Sequence, residues 1–124
     1  MADKKIINNE KGIKHFYCAL KWSLYGLRDS YKTESAFRQE LFLFLIFFPL
    51  AFYIGENNFE TALMILTLFL VLIVELINTS IEAAVNRISL EFHELSKKSK
   101  DAGSASVFLT ILMTAFIWLY FLIF

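Results

Sequence analysis

Five residues within one apolar segment have the types and spacing to do chemistry. Glu75, Asn78, Thr79, Glu82 and Asn86 fall at i, i+3, i+4, i+7 and i+11. On a helix that spacing places two carboxylates and two carboxamides on one face, with Glu75 and Glu82 about 10 Å apart along the axis. The opposite face carries Ile77, Ile81, Ala84, Val85 and Ile88 and is apolar. An acid held well inside a bilayer costs about 2.5–3.5 kcal/mol on insertion scales, so ionisable residues in such a segment are functional candidates. Glu75, the deeper of the two, has the chemistry of a proton acceptor. Glu82, nearer the water boundary, has that of a ligand for a hard cation. A hydrogen-bonding face between helices is the plainer role for the same pattern. Glu34 and Glu40 stand at the start of an earlier apolar segment. Glu34 either pairs with Arg38 at i+4 or joins Glu82 around a divalent ion, and the spacing leaves both open.

The elements that must position these residues follow from how charge is distributed. The 124-residue chain is 57% hydrophobic, with 12 basic and 12 acidic residues and a formal net charge of zero. That excludes a disordered chain, and a single cysteine excludes a disulfide scaffold. Eight of the basic residues lie between Lys4 and Arg38 and the other four between Arg87 and Lys100; Leu41 to Asn86 holds none, and no charged residue follows Asp101. Such partition is the mark of a membrane. Ala105–Phe124 is an uncharged run of 20 residues, enough to cross about 30 Å of hydrocarbon. Its Ser106, Thr110 and Thr114 repeat every four residues, a polar stripe suited to facing other helices. Leu41–Ile54 and Ala62–Val74 are too short alone and reach spanning length only by taking in neighbouring carboxylates. The expected architecture is an all-α membrane protein forming one domain over 1–124, with a surface helix at 12–32 and spans at about 34–54, 61–88 and 102–124.

In the 12–32 segment Ile13, Phe16, Tyr17, Leu20, Leu24, Leu27 and Tyr31 form one apolar stripe. Lys14, Lys21 and Arg28 repeat every seven residues on another side, which together with Trp22 and Tyr25 fits a helix lying on the membrane surface. The basic blocks place the N-terminus and the 87–101 segment in the cytoplasm, and the acidic 55–60 turn and the C-terminus outside. The first 12 residues are polar and lack the apolar core of a signal peptide. Cys18 then lies on the reducing side. Glycines occur only at 12, 26, 55 and 103, so neither a G-x-x-x-x-G-K-[ST] loop nor a G-x-G-x-x-G fingerprint exists. A nucleotide would be held by metal-bridging carboxylates and lysines, which is sufficient for phosphoryl transfer by positioning and charge neutralisation. A small proton-coupled transporter would also use a buried Glu75, but gives no task to Glu34, Glu82 or the Lys98–Asp101 segment. A membrane anchor binding haem would require facing histidines, and His15 and His93 both fall at the cytoplasmic edge.

Three motifs resemble the small bacterial integral-membrane diacylglycerol kinases: Glu34-x-Ala-Phe-Arg-Gln-Glu40, the run from Val74 to Ala84, and Glu91-Phe-His-Glu-Leu-Ser96 followed by Lys100-Asp-Ala-Gly-Ser104. The resemblance covers about residues 12–120. It implies a homotrimer with active sites shared between subunits, in the bacterial cytoplasmic membrane with a cytoplasmic N-terminus. It also implies ATP- and Mg²⁺-dependent phosphorylation of the diacylglycerol hydroxyl. On that resemblance Glu75 is the proton acceptor, Glu34 and Glu82 are the Mg²⁺ ligands, and Asn78 supports the catalytic face. Trp22, Glu91, His93, Lys100 and Asp101, with the two metal ligands, contact ATP. Arg28, Arg38, Gln39, Glu40, Ser104 and Trp118 belong to the lipid cleft. The implied partners are diacylglycerol, ATP and membrane lipids, with no nucleic acid. His15 replaces a family Arg, Asn86 an Asp, and Trp22 and Phe92 tyrosines; none of these removes a candidate base or metal ligand. The related undecaprenol kinases share scaffold and chemistry and are the alternative the resemblance leaves.

Overall fold

In the computed structural model residues 12–124 are described, so the polar stretch read as lacking a signal peptide lies outside the described residues. Four α-helices and no strand occur among the described residues: α1 (Ile13–Thr33), α2 (Ser35–Ile54), α3 (Asn58–Ile88) and α4 (Glu94–Ile123). The chain divides into two compact units, one ending at Thr33 and one running from Glu34 to Phe124.

The first unit contributes the amphipathic α1. Its apolar stripe is solvent-facing in the isolated chain, with Ile13 89% and Phe16 73% exposed.

In the second unit α2, α3 and α4 are each long and apolar enough to cross a membrane. Glu34 is extended (φ −106°, ψ 110°) and its side chain makes no capping hydrogen bond to α2. Pro49 sits inside α2 without ending it, as membrane-spanning helices tolerate. The 55–57 turn leads into an N-terminus on α3 built by reciprocal capping. Asn57 Oδ1 accepts from the Glu60 backbone N–H at 3.0 Å, and Glu60 Oε2 accepts from that of Glu56 at 3.0 Å, which satisfies amides the helix leaves open. Arg87 in the last turn suits the negative end of the α3 dipole.

The sequence reading takes 87–101 as a loop, but α4 begins at Glu94. His93 provides the reason: its Nδ1 accepts from the Leu95 backbone N–H at 3.1 Å and caps the helix, so the charged 94–101 stretch forms the first turns of α4.

α3 is the central helix, packed on α2 along one side and on α4 along another. The core at their far end joins Ala51, Met64, Leu68 and Trp118, with Phe44, Phe48 and Phe121 against it. The outer faces stay apolar, for example Phe42, Leu45 and Phe116, each 64% exposed. Such a surface is at rest only in lipid or against other apolar chains.

The Ser106, Thr110 and Thr114 hydroxyls are spent mainly within α4, each donating to the carbonyl four residues earlier at 2.8–3.0 Å. Thr114 alone also reaches across, to the Thr67 carbonyl at 3.4 Å.

Candidate active site

The polar face of α3 meets α2 at its middle. Glu75 is buried, 6% exposed, while Glu40 on α2 and Glu82 on α3 are half-buried. Glu40 and Glu75 approach closely enough for one carboxyl to hydrogen-bond the other, and both Glu82 and Glu34 act on Glu75 electrostatically. Carboxylate oxygens only accept, so the Glu40–Glu75 approach becomes a hydrogen bond only when one of the two carries a proton. Glu40 and Glu75 thus form a close pair, with Glu82 and Glu34 within electrostatic reach of it. Glu40 Oε2 and Asn78 Oδ1 are buried there without a hydrogen-bond partner, which leaves both acceptors able to take a donor from a ligand.

Asn78 owes its position to Gly103. A side chain at 103 would run into Asn78 Oδ1, with Asn78 Cγ at 3.4 Å and Ile81 Cδ1 at 3.8 Å from the added carbon. The glycine lets α4 approach the polar face of α3 at that point.

Two hollows flank the acids along α3. On the membrane side lies an apolar cavity of about 320 Å³ between the three spans, lined by Leu68 and Val71 of α3, by α2 from Glu40 to Phe47, and by α4 from Ile111 to Trp118. Glu40 is its ionisable lining residue. On the other side lies a polar pocket of about 400 Å³, lined by Val85 and Ser89 together with Glu91, His93, Ser96, Lys97, Lys100 and Asp101. Glu75 lies four residues from Val71, about 6 Å along the axis, and Glu82 three residues from Val85, about 4.5 Å. The acids therefore lie between an apolar compartment and one lined by charges of both signs, Lys97 and Lys100 with Glu91 and Asp101.

Of the residues proposed from sequence, Glu40 and Glu75 pair at this junction, Asn78 and Glu82 share the α3 face with Glu75, and Glu34 acts on Glu75 electrostatically. Glu91, His93, Lys100 and Asp101 line the polar pocket together. Glu40 and Trp118 line the apolar cavity, Trp118 at 9% exposure. Arg38, Gln39 and Ser104 are exposed and line neither hollow. Trp22 is half-buried and Arg28 exposed, both on α1.

Sequence reasoning placed Asn86 on the polar face of α3 but missed its partner in the pocket, and missed Lys97. Asn86 Oδ1 accepts from Lys100 Nζ at 2.7 Å, and Lys97 Nζ bonds Asp101 Oδ2 at 2.5 Å. The Lys97–Asp101 spacing of i+4 was available as a signal; the Asn86–Lys100 bond spans two helices and was not.

Residues 21–122 match the family described as prokaryotic diacylglycerol kinase. The chain belongs to that family. Curated relatives named diacylglycerol kinase include those of Haemophilus influenzae, 45% identical over 86% of this chain and 91% of the relative, and Helicobacter pylori strain J99, 42% identical over 95% and 92%. The Escherichia coli K12 protein of the same name is 39% identical over 90% of this chain and 91% of its own.

The motif resemblance implies a Mg²⁺ ion with Glu34 and Glu82 as its ligands, and both residues act electrostatically on Glu75. Glu34 and Glu82 are hard oxygen donors, and Mg²⁺ takes one or two carboxylates and completes its shell with substrate phosphates and water. Among the described residues no group of three or more His, Cys, Asp or Glu side chains forms a metal cage. An ion arriving on a nucleotide does not require one.

Proposed function

We propose that the chain is a lipid kinase that transfers the γ-phosphoryl group of ATP to the primary hydroxyl of diacylglycerol, giving phosphatidic acid and ADP. The observation that carries this reading is the junction itself: one helix passes from an apolar cavity, through two carboxylates, into a lysine-lined pocket. Diacylglycerol places its acyl chains in the apolar compartment and its hydroxyl at Glu75. The nucleotide occupies the pocket, with Lys100 held toward the phosphates by Asn86, and with Glu91, His93 and Asp101 around it.

The lipid hydroxyl oxygen forms a bond to the γ-phosphorus while the bond to the β–γ bridging oxygen breaks, and the hydroxyl proton passes to Glu75. Glu40 beside Glu75 offers that proton a second carboxyl. Glu34 and Glu82 would hold a Mg²⁺ ion, which would supply charge neutralisation at the phosphates. Asn78 and Lys100 supply donors already held in place, and preorganised donors are worth most where water is excluded.

The same reading places the chain in the bacterial cytoplasmic membrane, with α1 on the inner surface and the polar pocket facing the cytoplasm, as the basic blocks support. A homotrimer is supported by the exposed apolar faces of the spans, which three helices alone cannot turn inward. Undecaprenol is the competing lipid on such a scaffold; the names of the relatives favour diacylglycerol. A transporter or an anchor leaves the pocket without a task.

The test is transfer of labelled γ-phosphate by purified chain in mixed micelles with Mg²⁺, offering diacylglycerol and undecaprenol separately. Labelled phosphatidic acid is the expected product. Labelling of undecaprenol alone, or of neither lipid, contradicts the assignment.

A further inference from the structure

The acids, the pocket and the cavity leave one buried polar group in the spans without a role, the hydroxyl of Thr67. It lies in the apolar heart of α3 at 2% exposure. Its Oγ1 accepts from the Trp118 indole N–H at 3.2 Å and donates to the Met64 carbonyl at 2.6 Å. On its other side the Trp118 ring meets Phe47 edge-on, with ring centroids 5.2 Å apart at 81°. The indole is thus fixed by a hydrogen bond from α3 and an aromatic contact from α2.

That fixation matters because of where the ring stands. Glu40, Leu43, Phe44 and Phe47 line the cavity at i, i+3, i+4 and i+7, one face of α2. Glu40 lies at the end that meets Glu75, and Phe47 lies seven residues, about 10 Å, deeper. Trp118 packs on Phe47 and belongs to the same core as Ala51, Met64 and Leu68, of which Leu68 also lines the cavity. The indole, with Phe47 and Leu68, therefore closes the far end of the cavity. In hydrocarbon no water can take over an indole N–H that loses its partner, so the position of the ring depends on Thr67.

We propose that Thr67 is a positioning residue for lipid recognition: by anchoring Trp118 it sets the depth of the cavity in which an acyl chain of diacylglycerol ends. This rests on the reading of the chain as a diacylglycerol kinase. The polar end of the lipid lies at Glu40 and Glu75, and the chain that fills the cavity abuts the indole. Thr67 touches neither the substrate nor the reacting atoms.

The experiment uses the full chain in mixed micelles. Thr67→Val keeps the shape and removes the acceptor. The expected result is a rise of about fivefold to tenfold in the KM for diacylglycerol, the equivalent of one hydrogen bond, with kcat and the KM for ATP unchanged. Thr67→Ser, which keeps the hydroxyl, restores the wild-type KM. In a Trp118→Phe background, which has no N–H to anchor, Thr67→Val adds nothing further. A turnover-independent readout uses Trp22→Phe, which leaves Trp118 as the sole tryptophan. Its emission is quenched more by diacylglycerol brominated along the acyl chain than by phosphatidylcholine brominated alike at the same mole fraction, and Thr67→Val reduces that difference. Equal quenching by the two lipids, a fall in kcat instead of a rise in lipid KM, or failure of Thr67→Ser to rescue overturns the proposal. If wild type does not phosphorylate diacylglycerol, the functional reading fails by itself. The anchor is then judged by the emission of Trp118, which Thr67→Val shifts if the hydrogen bond exists and leaves unchanged if it does not.

Discussion

Replacing Gly103 by alanine probes the junction through a contact that no chemistry uses directly. The added carbon meets Asn78 Oδ1 at a separation no real side chain tolerates, while Asn78 Cγ and Ile81 Cδ1 lie at 3.4 and 3.8 Å, within ordinary contact. The atom that must give way is the tip of a side chain with two torsions, so α3 and α4 need not separate. Overpacking costs about 1 kcal/mol at the low end of its range, and alanine returns up to about 1 kcal/mol of helix propensity relative to glycine. Net stability should therefore change little. The amide, however, is turned off the catalytic face. Loss of one hydrogen bond there, about 1–1.5 kcal/mol, lowers the rate about tenfold. The assay pairs a detergent-unfolding midpoint with kcat for lipid phosphorylation, and adds Asn78→Ala with and without Gly103→Ala. The double variant should match Asn78→Ala alone, since the clash no longer exists. Full activity in Gly103→Ala, or additive losses in the double variant, would refute the argument that Gly103 acts through Asn78.

Two further outcomes follow from the acids and the pocket. Glu82→Gln should raise the Mg²⁺ concentration for half-maximal rate at least about tenfold, because a neutral amide is a weaker ligand for a hard cation; titration of rate against Mg²⁺ at saturating ATP checks it, and an unchanged midpoint removes Glu82 from the metal. Lys100→Met should raise the KM for ATP by more than about tenfold and Asn86→Ala by about threefold, in proportion to a lost charge contact and a lost orienting bond. An unchanged KM for ATP in Asn86→Ala would mean that Lys100 does not depend on Asn86.

Charge partition made the three spans legible, because Lys and Arg are absent from Leu41 to Asn86 and every charge is absent after Asp101. Glu75, Asn78 and Glu82 were equally open to reading, since one helix sets their spacing and no tertiary information is needed. The start of α4 was hidden because Glu94 to Asp101 has the composition of a loop, and only the His93 cap reveals the helix. Contacts between segments were out of reach for a different reason. Glu40 meets Glu75, Trp118 bonds Thr67 51 residues away, and Gly103 admits Asn78; each depends on how helices cross, which periodicity along a single helix does not encode. The motif resemblance nevertheless grouped Glu91, His93, Lys100 and Asp101, and these line one pocket.

The claim that Glu75 accepts the lipid hydroxyl proton is tested most directly by Glu75→Gln, which keeps the shape and removes the base. Single-turnover transfer of labelled phosphate to diacylglycerol should fall at least about 10²-fold, the lower end of what a positioned general base contributes. ATP binding, measured in the same preparation by equilibrium dialysis, should be unchanged. Transfer at the wild-type rate in Glu75→Gln would contradict the account.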